Sequence, residues 1–247
     1  MRLQNCSTTF ACLLFFSASS LAQTSDRGQL EKEFFALRTE LAEKISAKEK
    51  ELLAVTESEK EKYAEFLQQP NTGLIRILPH EKFNEKLNTR GGGAYYSFTR
   101  LTHSYDYGSD ISFEQGSLSV VFAGANFGFL RSLGNMSLDE LTLDHTEIHY
   151  LANFVPPTKL VEARKYQRQS MKGIQVGEAM YRGSLEAKPQ TTYVLRSINY
   201  DATDVLVAFH VIKKDEDGSL LIRWKKLKTF EIPKLERTPD PESSQQK

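Results

Sequence analysis

Between Asp26 and Gln69 the chain runs through Glu, Lys, Ala and Leu with no proline and only Gly28 near its start. Straight-chain residues lose little rotamer freedom in a helix, so this composition predicts one long helix or two consecutive ones. Asp26 with Gln29 three positions on forms a capping pair, and Pro70-Asn71-Thr72-Gly73 closes the segment. Leu30, Phe34, Leu37, Leu41, Ile45, Leu52, Val55, Tyr63 and Phe66 recur at spacings that place them on one stripe, of one long helix or of two broken near Lys48–Glu51. Lys48 and Glu59 occupy positions where that stripe calls for apolar residues. A continuous helix of about 40 residues would extend ~60 Å, longer than a small domain is wide. Residues 26–69 therefore either project as a coiled-coil arm for self-association, giving a homo-oligomer, or fold back onto their own domain. Leu30–Ile45 is the stronger half for a partner.

Residues 1–22 read as an export signal. Arg2 supplies the positive charge, Phe10–Phe16 the short apolar core, and Ser20-Leu21-Ala22 the small residues before a cut at Gln23. Cys6 and Cys12 lie in the removed segment, so the expected product is periplasmic or secreted, cysteine-free and about 225 residues long. That excludes a disulfide scaffold, a thiolate nucleophile and Cys-based metal sites. Overall charge is zero, and export makes a nucleic-acid partner implausible. The longest uncharged run, Gln115–Leu130, is too short to span a bilayer, so no transmembrane segment is expected after cleavage; its Gly124 and Gly128 fit a bent strand.

After Gly73 the texture changes. Leu74–Leu78, Ala94–Leu101, Ser117–Ala123, Thr192–Ile198, Val205–Ile212 and Leu220–Phe230 are rich in β-formers and bounded by turn residues. Val205–Ile212, interrupted only by His210, reads as a central strand covered on both faces. Asp217-Gly218 marks a hairpin into Leu220. Ser137 with Glu140 predicts one helix start, and Pro156-Pro157 precedes another helix at Thr158–Met171 with Leu160, Ala163, Gln167 and Met171 along one side. The expected architecture is α+β: a signal peptide at 1–22, a helical extension at 23–70, an antiparallel β-rich domain at 71–236 with short helices between strands, and a disordered tail at 237–247.

Two constellations offer chemistry. Tyr95, Tyr96, His103, Tyr105, Asp106, Tyr107 and Asp110 form the densest aromatic and polar cluster, suited to lining a ligand pocket or to packing a strand edge. On a strand, His145, Glu147 and His149 would project from one face as a zinc set with water in the fourth position; on a helix Glu147 would turn away. The expected cofactor is none, with zinc as the one alternative. Arg90-Gly91-Gly92-Gly93 lacks the helix start of a phosphate loop and reads as a flexible entry into a strand. Arg223, Lys225, Lys226 and Lys228 read as lysine-rich edge-strand protection.

Without a nucleophile elbow, a cofactor fingerprint or a thiol, the leading expectation is an exported, non-catalytic protein binding a ligand or protein partner through the sheet domain. The alternatives are a hydrolase or lyase using His103, Asp106, Asp110, His145, Glu147 or His149, and a structural envelope component.

Overall fold

The Glu/Lys/Ala/Leu run folds as helix α1 (Phe16–Leu53). The computed structural model describes residues 16–82, 91–103, 108–120 and 123–236. Tyr105, Asp106, Tyr107 and the tail from Arg237 lie outside the described residues, as do most of residues 1–22. The chain divides into two units, Met1–Leu52 and Leu53–Lys247. In the first, α1 carries Lys44–Glu40 and Lys48–Glu51 pairs, each worth a few tenths of a kcal/mol. Its Leu30, Phe34, Leu37 and Leu41 are 58–65% exposed.

The helix breaks at Ala54–Thr56, later than the Lys48–Glu51 position of the two-helix alternative. The cause is local. Thr56 opens a new helix, α2 (Glu57–Lys62), through a reciprocal capping box: the Thr56 hydroxyl accepts the Glu59 amide, and the Glu59 carboxylate accepts the Thr56 amide at 3.0 Å. Helix α3 (Ala64–Leu67) follows and buries Phe66. Both short helices belong to the second unit, so that unit starts at Leu53 and not at residue 71.

Strand β1 (Thr72–Ile77) leads into a 3-10 turn at His80–Lys82, then β2 (Tyr95–Tyr96), β3 (Ile111–Glu114), β4 (Ser117–Val120) and β5 (Phe127–Ser132). Helices α4 (Thr146–Asn153) and α5 (Leu160–Lys172) precede β6 (Ile174–Val176), β7 (Ala179–Tyr181), β8 (Ser184–Glu186), β9 (Thr191–Asn199), β10 (Thr203–Lys214) and β11 (Leu220–Thr229). The pairing is antiparallel throughout: β1-β11-β10-β9-β5 in one sheet, β2-β3-β4-β8 in a second, and a β6-β7 hairpin. This is the expected α+β class.

Strand β10 is central and sandwiched. Val205, Val207, Phe209 and Val211 pack with Phe98, Ile111, Phe113 and Leu118 against the smaller sheet. Leu206 and Ala208, on the opposite face, pack with Ile148 and Leu151 of α4 and Ala163 of α5. That double coverage is why its sequence is almost wholly apolar.

Three local expectations need correction. Ser137 and Glu140 do not start a helix: Ser137 Oγ accepts the Asp139 amide at 3.3 Å within a turn, and Leu138 and Leu141 are buried. The buried side of α5 runs through Ala163 and Ser170, while Leu160 and Met171 are exposed. The strand expected at Ala94–Leu101 shortens to β2, after which the chain turns through Phe98–Leu101, Leu101 at φ +54°, and bridges back from Thr102 to Ser97. The glycines before it are obligatory, not merely flexible. Gly91, Gly92 and Gly93 all have positive φ, and a Cβ on Gly93 would lie 2.5 Å from Leu53 Cδ2.

Lys226 and Lys228 of β11 pair with β10 beyond the end of β1, where the Lys226 amide still donates to Asn71 O at 2.8 Å, whereas Lys225 sits opposite Thr72 and Arg223 opposite Leu74, inside the sheet. Glu59 also reaches the sheet: Arg76 of β1 donates to both its oxygens at 2.8 and 3.0 Å, and Lys213 of β10 donates at 2.8 Å. Burial opposes ionisation of Glu59, but hydrogen bonds from Lys213, the Thr56 amide and Arg76 bring its carboxyl down to about 2. Glu59→Ala should therefore cost about 2–3 kcal/mol, ~1 for the lost cap and the rest for Arg76 left with Asp215 and Ser219 alone. Urea unfolding should show a lower midpoint at unchanged slope.

Candidate binding site

The chain passes along the outer edge of β1 twice. The Leu78 amide donates to Gly93 O at 3.1 Å, and His103 Nε2 lies 2.8 Å from Arg76 O. A carbonyl oxygen only accepts, so His103 Nε2 carries the proton. Burial lowers the His103 pKa despite that bond, and the ring is neutral near pH 7 with Nδ1 as its acceptor nitrogen. The Tyr96 ring meets it edge-on at 4.9 Å and Phe98 at 5.2 Å.

Between this edge and the start of the second unit lies a cavity of about 390 Å³, lined by Leu53, Val55, Lys60, Leu67, Leu74, Ile75, Tyr96, Leu101 and His103. Its walls are aliphatic apart from His103, the Tyr96 ring and Lys60. Leu101 is 60% exposed and held at positive φ, a conformation that costs a non-glycine residue about 1–2 kcal/mol. An exposed, strained leucine on a cavity wall is the kind of feature that binding sites retain.

Of the candidate cluster, the structure brings Tyr96 and His103 to this cavity. Tyr95 is half-buried, its ring 5.9 Å from His80. Asp110 is fully buried. It accepts the Phe98 amide at 2.8 Å, Ser97 Oγ at 3.3 Å and Asn199 Nδ2 at 3.3 Å, pinning the turn after β2 to β9. Burial pushes the Asp110 carboxyl up to about 6, against hydrogen bonds from Ser197, Phe98 and Ser97.

His145, Glu147 and His149 sit at the start of α4 and not on a strand. His145 is the N-cap, its Nδ1 accepting the Glu147 amide at 3.2 Å. Glu147 pairs with Arg131 of β5, and His149 is exposed. Among the described residues no group of three His, Cys, Asp or Glu side chains is placed to hold a metal ion.

Sequence reasoning missed the aliphatic walls, because Leu53, Leu67, Leu74 and Leu101 come from four segments with no common period. It also missed the larger aromatic group beneath the helices. Phe127, Phe129, Tyr150, Phe154, Tyr166 and Tyr181 interlock with ring centroids 4.7–6.0 Å apart. The chain was compared with protein families, curated proteins and solved structures, and it matches none of them. Among the described residues, no helix is long and apolar enough to cross a membrane.

Proposed function

We propose that this is an exported, non-catalytic binding protein whose second unit takes up an apolar, acyl-sized group at the edge of β1, with α1 as its self-association arm. The carrying observation is the cavity itself. Its volume falls in the range of small-molecule sites, and its aliphatic walls include two polar residues, His103 and Lys60, the latter paired with Glu57 at 2.7 Å. Apolar walls supply affinity, while the two polar groups orient a head group bearing a hydroxyl or carboxylate.

The test uses decanol and decanoate, titrated while following the single tryptophan, Trp224, whose ring is 5.5 Å from Phe98. At least one should bind saturably at micromolar to millimolar concentration. Leu101→Asn should weaken that binding about tenfold by removing apolar wall, an effect of ~1.4 kcal/mol. The same change should raise stability by about 1 kcal/mol, since asparagine tolerates positive φ. A loss of binding with a gain in melting temperature separates a recognition role from a packing one. Failure of both ligands to bind at millimolar concentration sinks the reading.

A further inference from the structure

Helix α5 turns to solvent a face that its own packing does not explain. Ala163 and Ser170 hold its inner side in the core. At about 100° per residue, Val161, Arg164, Arg168, Met171 and Lys172 share an arc of about 100° on the outer side, and all five are exposed. Val161 is 74% and Met171 59% exposed, about 15 Å apart along the axis, with Arg164 and Arg168 between them and Lys172 beside the second. The surface continues past the end of the helix. A Cβ on Gly173 would lie 2.8 Å from Met180 Sδ and 3.4 Å from the Arg182 side chain, and both residues are exposed. Residues 159–182 hold six Lys and Arg against two Glu, a net +4 in a chain whose total is zero. Glu162 holds Lys165 at 3.7 Å, Glu178 lies in the turn of the β6-β7 hairpin, and Glu236 accepts from Thr158 ahead of the helix. Among the described residues, Arg164, Arg168 and Lys172 have no carboxylate partner.

The helix dipole accounts for a cation in the last turn, Lys172, and for no others. We propose that this face docks on an anionic lipid surface. Each Lys or Arg brought to such a surface strengthens binding about fivefold, so three unpaired cations give about a hundredfold preference over a neutral bilayer. The apolar side chains decide between lipid and a soluble polyanion. Val161, Met171 and Met180 stand among or beside the cations, where the acyl boundary of a bilayer can take them up and a phosphate or sulfate polymer offers them nothing. None of these residues lines the cavity at the edge of β1, so the inference does not rest on the acyl-binding reading.

Cosedimentation of the full chain with vesicles tests this. At low ionic strength, vesicles of phosphatidylcholine with about one third phosphatidylglycerol should bind it about a hundredfold more tightly than phosphatidylcholine alone, and added salt should erode the excess. Arg164→Gln, Arg168→Gln and Lys172→Gln together should remove most of that excess, about fivefold per residue, with the thermal transition unmoved. Arg164→Lys with Arg168→Lys should keep it within about twofold, because a lipid surface reads charge and not the guanidinium fork. Val161→Ser with Met171→Ser should weaken vesicle binding about tenfold and leave binding to heparin unchanged. Leu101→Asn, at the cavity, should leave vesicle binding as it was. Equal binding to the two kinds of vesicle, or an anionic excess that the three glutamines do not move, overturns the proposal. Vesicle binding insensitive to Val161→Ser and Met171→Ser, with tighter binding to heparin, makes the occupant a soluble polyanion and overturns the lipid assignment.

Discussion

Asp204→Ala should cost about 3–5 kcal/mol, enough to leave a large fraction of the chain unfolded at 37 °C. Asp204 of β10 and Arg196 of β9 are each 1% exposed, joined by two hydrogen bonds of 2.5 and 2.8 Å. The third side of the guanidinium donates to Leu151 O of α4, and Phe230 stacks over it at 3.2 Å. Removing the carboxylate strands a cation among apolar neighbours. Removing both charges does not: Arg196→Met with Asp204→Leu should recover most of the loss, because a well-packed apolar pair avoids the desolvation penalty altogether. Denaturant melts of the two variants check this. A single variant within 1 kcal/mol of wild type would show that water reaches the pair.

The second large effect is a pH dependence to which two buried groups contribute with opposite sign. The Asp110 carboxyl, pushed by burial to about 6 from 3.8, contributes stability that is full below pH 3.8 and lost as pH rises through 6. His210 runs the other way. Its Nδ1 lies 2.8 Å from Thr192 Oγ1, whose hydroxyl donates onward to Met136 O at 2.5 Å. Burial, with Arg223 nearby, lowers its pKa to about 4 from 6.5, so its contribution is full above 6.5 and lost as pH falls through 4. The two act over nearly the same window with opposite sign, each by on the order of a few kcal/mol, and so oppose each other. His210→Gln should lose stability as pH rises from 4 to 6, and Asp110→Asn should lose it as pH falls from 6.5 to 4. His103, also lowered by burial, adds to the second slope. Urea midpoints measured from pH 4 to 7 decide it; single variants with the wild-type profile would retire the opposition.

What could be read from the chain alone follows from how locally each feature is encoded. The apolar run of β10, the Asp217-Gly218 hairpin and the helix after Pro156-Pro157 are each written into consecutive residues. Strand β3 was legible in principle. Ile111-Ser112-Phe113-Glu114 alternates, and Gln115 and Gly116, both at positive φ, supply a two-residue hairpin turn. Strand β5 was hidden by Gly128, which reads as a bend but is demanded by packing, since a Cβ there would lie 2.2 Å from Arg196 O. The Arg196–Asp204 pair, the Asp110 cluster and the cavity walls were beyond local reading. Each is assembled by strand register or by segments distant in sequence, and no periodicity marks them. Lys48 and Glu59 looked like flaws in one stripe; Glu59 instead caps the start of α2 and holds Arg76 and Lys213 of the sheet.

That double use of Glu59 has a bearing on how disorder spreads. Helix–coil transitions propagate along an unbroken hydrogen-bond ladder, so fraying that starts near the N-terminal end of α1 can run its length. It meets an interruption at Ala54–Thr56, where the ladder is cut and the next turn is held by a carboxylate fixed to two strands. The helix can thus exchange its amides, bend or be remade by mutation as a separate cooperative unit, while the sheet stays closed.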